Sequence, residues 1–377
     1  MAEVSGTCDE RFNAVREAFE ANFDERGDVG ASVAVSLEGE FVVDLWGGYK
    51  DEAKTEKWEE DTIVNVYSTT KTMAAISALL LADQGEIDFY EPVKSYWPEF
   101  AEAGKENIQV RHLMSHTAGL SGMDEPFSGE AFYNWGAVVA ALARQGPWWE
   151  PGTQSGYHAL TQGHLIGEVI RRVTGDSIGT FFREEIAEPL GADFHIGIGK
   201  EHFHRICDLI PPEGGIADQV EPDGIAARTF ANPAIDALES RTAGWRQAEI
   251  PAANGHGNAR SVVRVQSIVA NGGTAFGTTL MSEEGCKVIF DEQSNGMDLV
   301  LGMPIRFGMG YGLTSDLMPL GPNPNTCWWG GWGGSLIVVD QDARLCFSYV
   351  MNRMEASLMG DQRGMSIAQS VYQSLAG

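Results

Sequence analysis

The chain has 377 residues, 43% of them hydrophobic, and a formal net charge of −27 with a pI near 4.6. That length and apolar content support one large or two interleaved domains around a sizeable core, and the negative charge argues against nucleic acid or an anionic membrane surface as a partner. With no apolar run long enough to span a bilayer, no basic and apolar leader at the start, and five scattered cysteines without a Cys-x-x-Cys pair, the expected setting is the cytoplasm.

Along the chain, Phe12, Val15, Phe19 and Phe23 recur at helical spacing. The segments Ala31 to Leu37 and Phe41 to Trp46 then read as two strands around Glu38-Gly39. Ser68-Thr69-Thr70-Lys71 comes next, just before the run Met73 to Ala82, which is apolar on nearly every side and predicts a buried helix. Asp83-Gln84-Gly85 supplies a glycine C-cap. Positions i and i+3 share a helix face, so the spacing puts the Lys71 amine beside the Ser68 hydroxyl. A serine is a poor nucleophile until a base takes its proton, and a lysine held neutral by burial is such a base. Ser-x-x-Lys is expected roughly 0.5 times by chance in this composition, so the motif carries weight only through its neighbours.

His112 and His116 lie four apart, a spacing that suits zinc, but neither a His-Glu-x-x-His glutamate nor an evident third ligand accompanies them. Like His202 and His204 they read as structural, and neither a metal nor an organic cofactor is expected. Phe127, Phe132, Tyr133, Trp135, Trp148 and Trp149 form either an apolar acyl pocket or plain core. Tyr157 follows a Gly/Pro loop and precedes a helix over Gly163 to Val173. Such a tyrosine usually packs or caps, yet near a protonated lysine its anion is stabilised, and the pair can then shuttle the Ser68 proton to a leaving group. Gly175-Asp176-Ser177-Ile178-Gly179 fits the Gly-x-Ser-x-Gly elbow, which requires a strand before the serine. The residues before it are helical in period, so Gly175 predicts a C-cap and Ser177 the N-cap of a helix over Ile178 to Ala187.

Trp328-Trp329-Gly330-Gly331-Trp332-Gly333-Gly334-Ser335 precedes a predicted strand over Ser335 to Val339, paired around Asp340 to Ala343 with Arg344 to Val350. A last helix carries Ile367, Val371 and Leu375 on one face. Four glycines let backbone approach a substrate and aim N–H groups at it; with the Ser68 amide they are candidates for an oxyanion hole, and a glycine-rich strand entry is the alternative. Strand-rich ends flanking a helical middle predict a discontinuous α/β domain, residues 1–60 and 258–377, with a mainly helical domain, 61–257, inserted and the active site in the cleft between them.

Together these segments resemble the serine β-lactamase-like superfamily and, within it, the family VIII carboxylesterases, relatives of class C β-lactamases. The resemblance covers most of the chain and is carried by Val66-Tyr67-Ser68-Thr69-Thr70-Lys71, the run Val110 to Leu120, Pro151-Gly152 with Tyr157, Phe307 to Gly312, and Trp329-Gly330-Gly331. It implies an α/β (α+β) fold of the β-lactamase type, an antiparallel sheet flanked by helices plus an inserted helical domain. It also implies Ser68 as nucleophile, Lys71 and Tyr157 as the proton-handling pair, the amides of Ser68 and Trp332 as oxyanion donors, and Trp329, Gly330 and Gly331 as substrate contacts. Two departures bear on the substrate. The Tyr-x-Asn motif of class C enzymes is matched by Tyr157-His158-Ala159, and their Lys-Thr-Gly by Trp329-Gly330-Gly331. An indole in place of that cation favours neutral esters. The expected activity is hydrolysis of short or medium acyl esters through a Ser68 acyl-enzyme. A β-lactamase or D-peptidase using the same residues, an acyltransferase, or a non-catalytic penicillin-recognising homologue are the alternatives.

Overall fold

β-Branched and aromatic segments from both ends of the chain join one nine-stranded antiparallel sheet in the computed structural model, which describes residues 3–216 and 220–376. Its strands are β1 (Val4–Cys8), β2 (Gly30–Leu37), β3 (Glu40–Gly48), β4 (Ser294–Met297), β5 (Pro304–Phe307), β6 (Gly312–Leu313), β7 (Thr326–Gly330), β8 (Leu336–Asp340) and β9 (Leu345–Met351). They lie in the order β1-β3-β2-β9-β8-β7-β6-β5-β4. The β2–β3 hairpin turns at Glu38-Gly39, both in the left-handed region at φ 53° and 81°, as a tight turn matched to strand twist requires. Pairing of β2 with β9, with Val33 opposite Tyr349, welds the N-terminal segment to the C-terminal one.

The five longest helices among the described residues are α1 (Asn13–Glu25), α2 (Lys71–Asp83), α3 (Thr161–Thr174), α4 (Ala259–Ala270) and α5 (Gln362–Ala376). Side chains alternate across a sheet, and here the alternation assigns the layers. Ser32 and Ser36 of β2 bond to α4, through the Ala259 amide at 3.1 Å and Ser267 Oγ at 2.5 Å. Val33 and its partner Tyr349 point the other way, where Tyr349 and α5's Arg363 share Asp28 at 2.6 and 2.8 Å. Helices α4 and α5 therefore cover opposite faces, with α1 packed on α5. This is the expected α/β architecture of a large antiparallel sheet with flanking helices and a helical region.

A short strand, Ile63–Asn65, pairs in parallel with Ile206–Cys207 and antiparallel with His256–Gly257. It delivers the chain into α2 beside the segment around Ala252. Every residue of α2 from Lys71 to Leu81 is buried, as the all-round apolar run predicts. The predicted helix over Ile178 to Ala187 is less regular than its periodicity implies: Ile178–Phe182 is α-helical, Arg183–Ala187 widens into a π turn, and Glu188–Leu190 closes it. Pro189 lacks the N–H that an unbroken α-helix would use there, so the bonding pattern shifts. Trp328 to Gly330 do more than precede the strand predicted from Ser335: they form the end of a strand of their own, β7, with Trp328 opposite Val338 and Trp329 opposite Ile337. Among the described residues no helix is long and apolar enough to cross a membrane.

Candidate active site

Ser68 enters α2 through a single 3₁₀ turn, Tyr67–Thr70, that begins with Tyr67 at φ 43°. A bulky residue in the left-handed region is an outlier that its surroundings must enforce. Here they do. Thr70 Oγ1 donates to the Tyr67 carbonyl at 2.5 Å and accepts from Gly255 N–H at 2.9 Å, while Val66 N–H donates to the Gly255 carbonyl at 3.0 Å. The Tyr67 ring is wedged between Trp332 and Trp245, at 5.0 and 6.1 Å.

The Lys71 Nζ lies 3.0 Å from Ser68 Oγ, 2.7 Å from the Ala159 carbonyl and 2.9 Å from the Ala252 carbonyl. Among the described residues no carboxylate pairs with it, and burial lowers its pKa well below the ordinary 10.5. A neutral amine has two protons and one lone pair. The two carbonyls can only accept, so they take the protons and leave the lone pair facing the Ser68 hydroxyl. On the other side the Tyr157 hydroxyl stands 2.5 Å from Ser68 Oγ. Burial raises its pKa, opposed by the Ser68 hydrogen bond. One dry environment thus drives the amine toward its base form and the phenol toward its acid form.

Glycines at two points permit these approaches. A Cβ on Gly163 of α3 would come within 2.4 Å of Ala252 N, so only glycine lets α3 press against the segment that supplies the Ala252 carbonyl. A Cβ on Gly331 would lie 2.3 Å from the Val66 carbonyl and 3.3 Å from Ser68 N, which puts the loop after β7 directly on the Tyr67–Thr70 turn. Ser335 Oγ ties the two together, donating to Val66 O at 2.9 Å and contacting Thr69 Oγ1 at 2.9 Å. Within that loop Gly331 N–H is committed to Ser335 O, Gly333 N–H to Ser357 O and Gly334 N–H to Gly331 O. Among the described residues no hydrogen bond engages the Trp332 amide.

The other candidates disperse. Trp329 stacks on His116 at 5.7 Å and faces Tyr157 at 5.6 Å and Phe307 at 5.5 Å, whereas a Cβ on Gly330 would meet the backbone of Met359 and Gly360. Ser177 caps a helix, accepting from Thr180 N–H at 3.2 Å and donating to Glu249 at 2.7 Å. Gly175 before it closes α3 at φ 88°, so the strand that an elbow needs is missing. Phe132 belongs to the core, Trp148 bonds Asp124 and Trp149 bonds the Gln154 carbonyl. His112 accepts from the Gln109 amide at 3.2 Å, and His202 and His204 engage Arg205 and the Glu201 carbonyl. Among the described residues no group of three His, Cys, Asp or Glu is placed to hold a metal ion. Cavities of about 510 Å³ beside His195 and about 520 Å³ beside Phe89 are not lined by Ser68.

Three contributors leave no mark in the sequence pattern. The Ala159 and Ala252 carbonyls are backbone acceptors, which no side-chain motif advertises. Asp298 is buried and takes the amides of Tyr157, Val300 and Leu301 on one oxygen at 2.9 to 3.0 Å; its distance along the chain from Tyr157 removes any local signal.

A family model described as Beta-lactamase matches residues 15–371. The esterase/beta-lactamase LipL of Mycobacterium tuberculosis is 34% identical over 385 residues, covering 96% of this chain and 86% of that protein. The crystal structure of a family VIII carboxylesterase superposes with a TM-score of 0.93 at 41% identity, covering 99% of this chain and 100% of that one. A penicillin-binding protein homolog from Caulobacter crescentus gives 0.92 at 37% identity, with the same coverage.

Proposed function

Since the chain belongs to the beta-lactamase family of serine hydrolases, we propose that it is a carboxylesterase hydrolysing short or medium acyl esters through a Ser68 acyl-enzyme. The observation that carries this reading is Ser68 Oγ held between Lys71 Nζ at 3.0 Å and the Tyr157 hydroxyl at 2.5 Å. In it, Lys71 takes the Ser68 proton as Oγ attacks the ester carbonyl, and the amides of Ser68 and Trp332 receive the oxyanion. Tyr157 hands a proton to the departing alkoxide and is reprotonated from Lys71. Water then attacks the acyl-enzyme with the same pair in reverse roles, releasing the acid and restoring Ser68.

Esters are favoured over charged lactams because Trp329 places an apolar ring, not an ammonium, beside Tyr157. Short or medium acyl groups are favoured because the serine is only 8% exposed, with the Trp329 ring facing Tyr157 and the Trp332 ring packed on Tyr67. The catalytic side chains come from residues 61–257 and the glycine-rich loop from 258–377, which supports a site in a cleft between the two proposed parts. All five cysteines are unpaired, which suits the proposed cytoplasmic setting. LipL carries both activities in its name, so lactam turnover is the second reading. Comparing kcat/KM for p-nitrophenyl butyrate and nitrocefin separates them: the ester should lead, and a strong preference for nitrocefin overturns the assignment.

A further inference from the structure

Tyr157 lies in an irregular stretch, residues 151–160, that forms neither helix nor strand. Its phenol is therefore aimed by whatever holds the neighbouring peptides. Three successive amides there reach just two residues: Gly156 N–H donates to the His116 carbonyl at 3.0 Å, Tyr157 N–H to Asp298 Oδ1 at 3.0 Å, and His158 N–H to His116 Nδ1 at 3.0 Å. His116 thus grips the chain on both sides of Tyr157. Its ring also packs 5.1 Å from the Tyr157 ring and stacks on Trp329 with the planes 18° apart.

The chemistry of the grip fixes the state of His116. A backbone N–H can only donate, so Nδ1 must carry a lone pair, which makes the imidazole neutral with its proton on Nε2. Burial, reinforced by His158 and Lys71 nearby, holds its pKa well below the usual range. Its backbone sits at φ 61°, a left-handed conformation that histidine and asparagine tolerate better than most residues. On the far side, His158 is pinned as well, with Nδ1–H on the Gly156 carbonyl at 2.6 Å and Nε2 accepting Leu120 N–H at 3.0 Å.

We propose that His116 is a positioning residue for catalysis, which orients the Tyr157 phenol by bonding the peptides before and after it while its ring packs against those of Tyr157 and Trp329. It touches no reacting atom and acts through Tyr157, so the inference rests on the proton-handling role proposed for that tyrosine.

A double-mutant cycle on p-nitrophenyl butyrate hydrolysis tests it, using His116→Phe, His116→Asn, Tyr157→Phe and the His116→Phe/Tyr157→Phe double variant. Phenylalanine keeps a ring and loses the Nδ1 acceptor; asparagine keeps an acceptor and accepts the left-handed backbone. His116→Phe should lower kcat by about tenfold to a hundredfold, with KM changed by less than about threefold. His116→Asn should recover most of that loss. In the Tyr157→Phe background, His116→Phe should add less than about threefold, because the group it positions is gone.

Equal losses in both backgrounds, no loss at all, or an asparagine variant no better than the phenylalanine one would each overturn the role of His116. Should His116→Phe not fold, His116→Gly takes its place in the cycle, since glycine relieves the left-handed backbone. Full activity in Tyr157→Phe alone would remove the tyrosine's role and this inference with it. A Tyr157→Phe variant slowed to a low but measurable rate, with a His116→Phe effect that is uncoupled from it, removes only the inference.

Discussion

At the scale of single residues, the same burial that disfavours the Lys71 ammonium is what would equip the amine to take a proton in the proposed mechanism. The ammonium is disfavoured because the site supplies two neutral carbonyls and no counter-charge. This gives a signed pH dependence. As pH falls through the lowered pKa, the amine becomes protonated and stops acting as a base, so kcat/KM for a neutral ester falls on the acid side. Tyr157 is shifted upward from its ordinary 10.0, so no alkaline limb from it should appear below that value. A pH profile of kcat/KM should show one acid limb, well below 10.5, and Lys71→Arg should lose at least about a hundredfold across the range, because guanidinium does not deprotonate. An acid limb centred at the ordinary lysine value contradicts the assignment. Linkage points the same way. Where pH lies between the lowered folded pKa and the unfolded 10.5, the unfolded chain binds the extra proton, so the Lys71 contribution to stability rises with pH over that window.

At the scale of elements, the turn at Tyr67–Thr70 and the loop after β7 work as one unit. Their backbones approach so closely that a Cβ at Gly331 would overlap the Val66 carbonyl and Ser335 Oγ, both at 2.3 Å. Gly331→Ala should push the loop off the Ser68 amide. The expected result is a fall in the acylation rate of at least about tenfold, with a loss of folding stability of about 1–3 kcal/mol, read by stopped-flow kinetics and denaturant unfolding. Unchanged acylation would mean that this loop does not serve the reaction. The same elements show how far sequence alone reaches. The Ser68–Lys71 spacing and the apolar run behind it were legible, because helical period and burial are local properties. The 3₁₀ entry was not, since it depends on Gly255 bonding Thr70 from far along the chain. Trp328 and Trp329 read only as the approach to a strand beginning at Ser335, because of their glycine neighbours, yet pairing with β8 draws them into the sheet.

At the scale of the whole molecule, the hairpins at both ends carried the fold class, because alternating apolar residues and turn-forming pairs mark antiparallel strands without reference to partners. What joins them was not legible: the β2–β9 pairing and the shared Asp28, Tyr349 and Arg363 cluster link residues more than 300 positions apart. The site has the same character. Its side chains could be named from motifs, while the carbonyls of Ala159 and Ala252, Asp298 and the two-sided grip of His116 emerge only once the chain is folded. In the proposed reaction Ser68, activated in this assembled site, forms the acyl-enzyme. Intact-mass spectrometry after rapid quenching with p-nitrophenyl butyrate tests it most directly, with the modified peptide mapped. The wild-type protein and Ser177→Ala should each gain one butyryl group on Ser68 and Ser68→Ala none; an adduct that persists in Ser68→Ala, or maps to Ser177, would contradict the account.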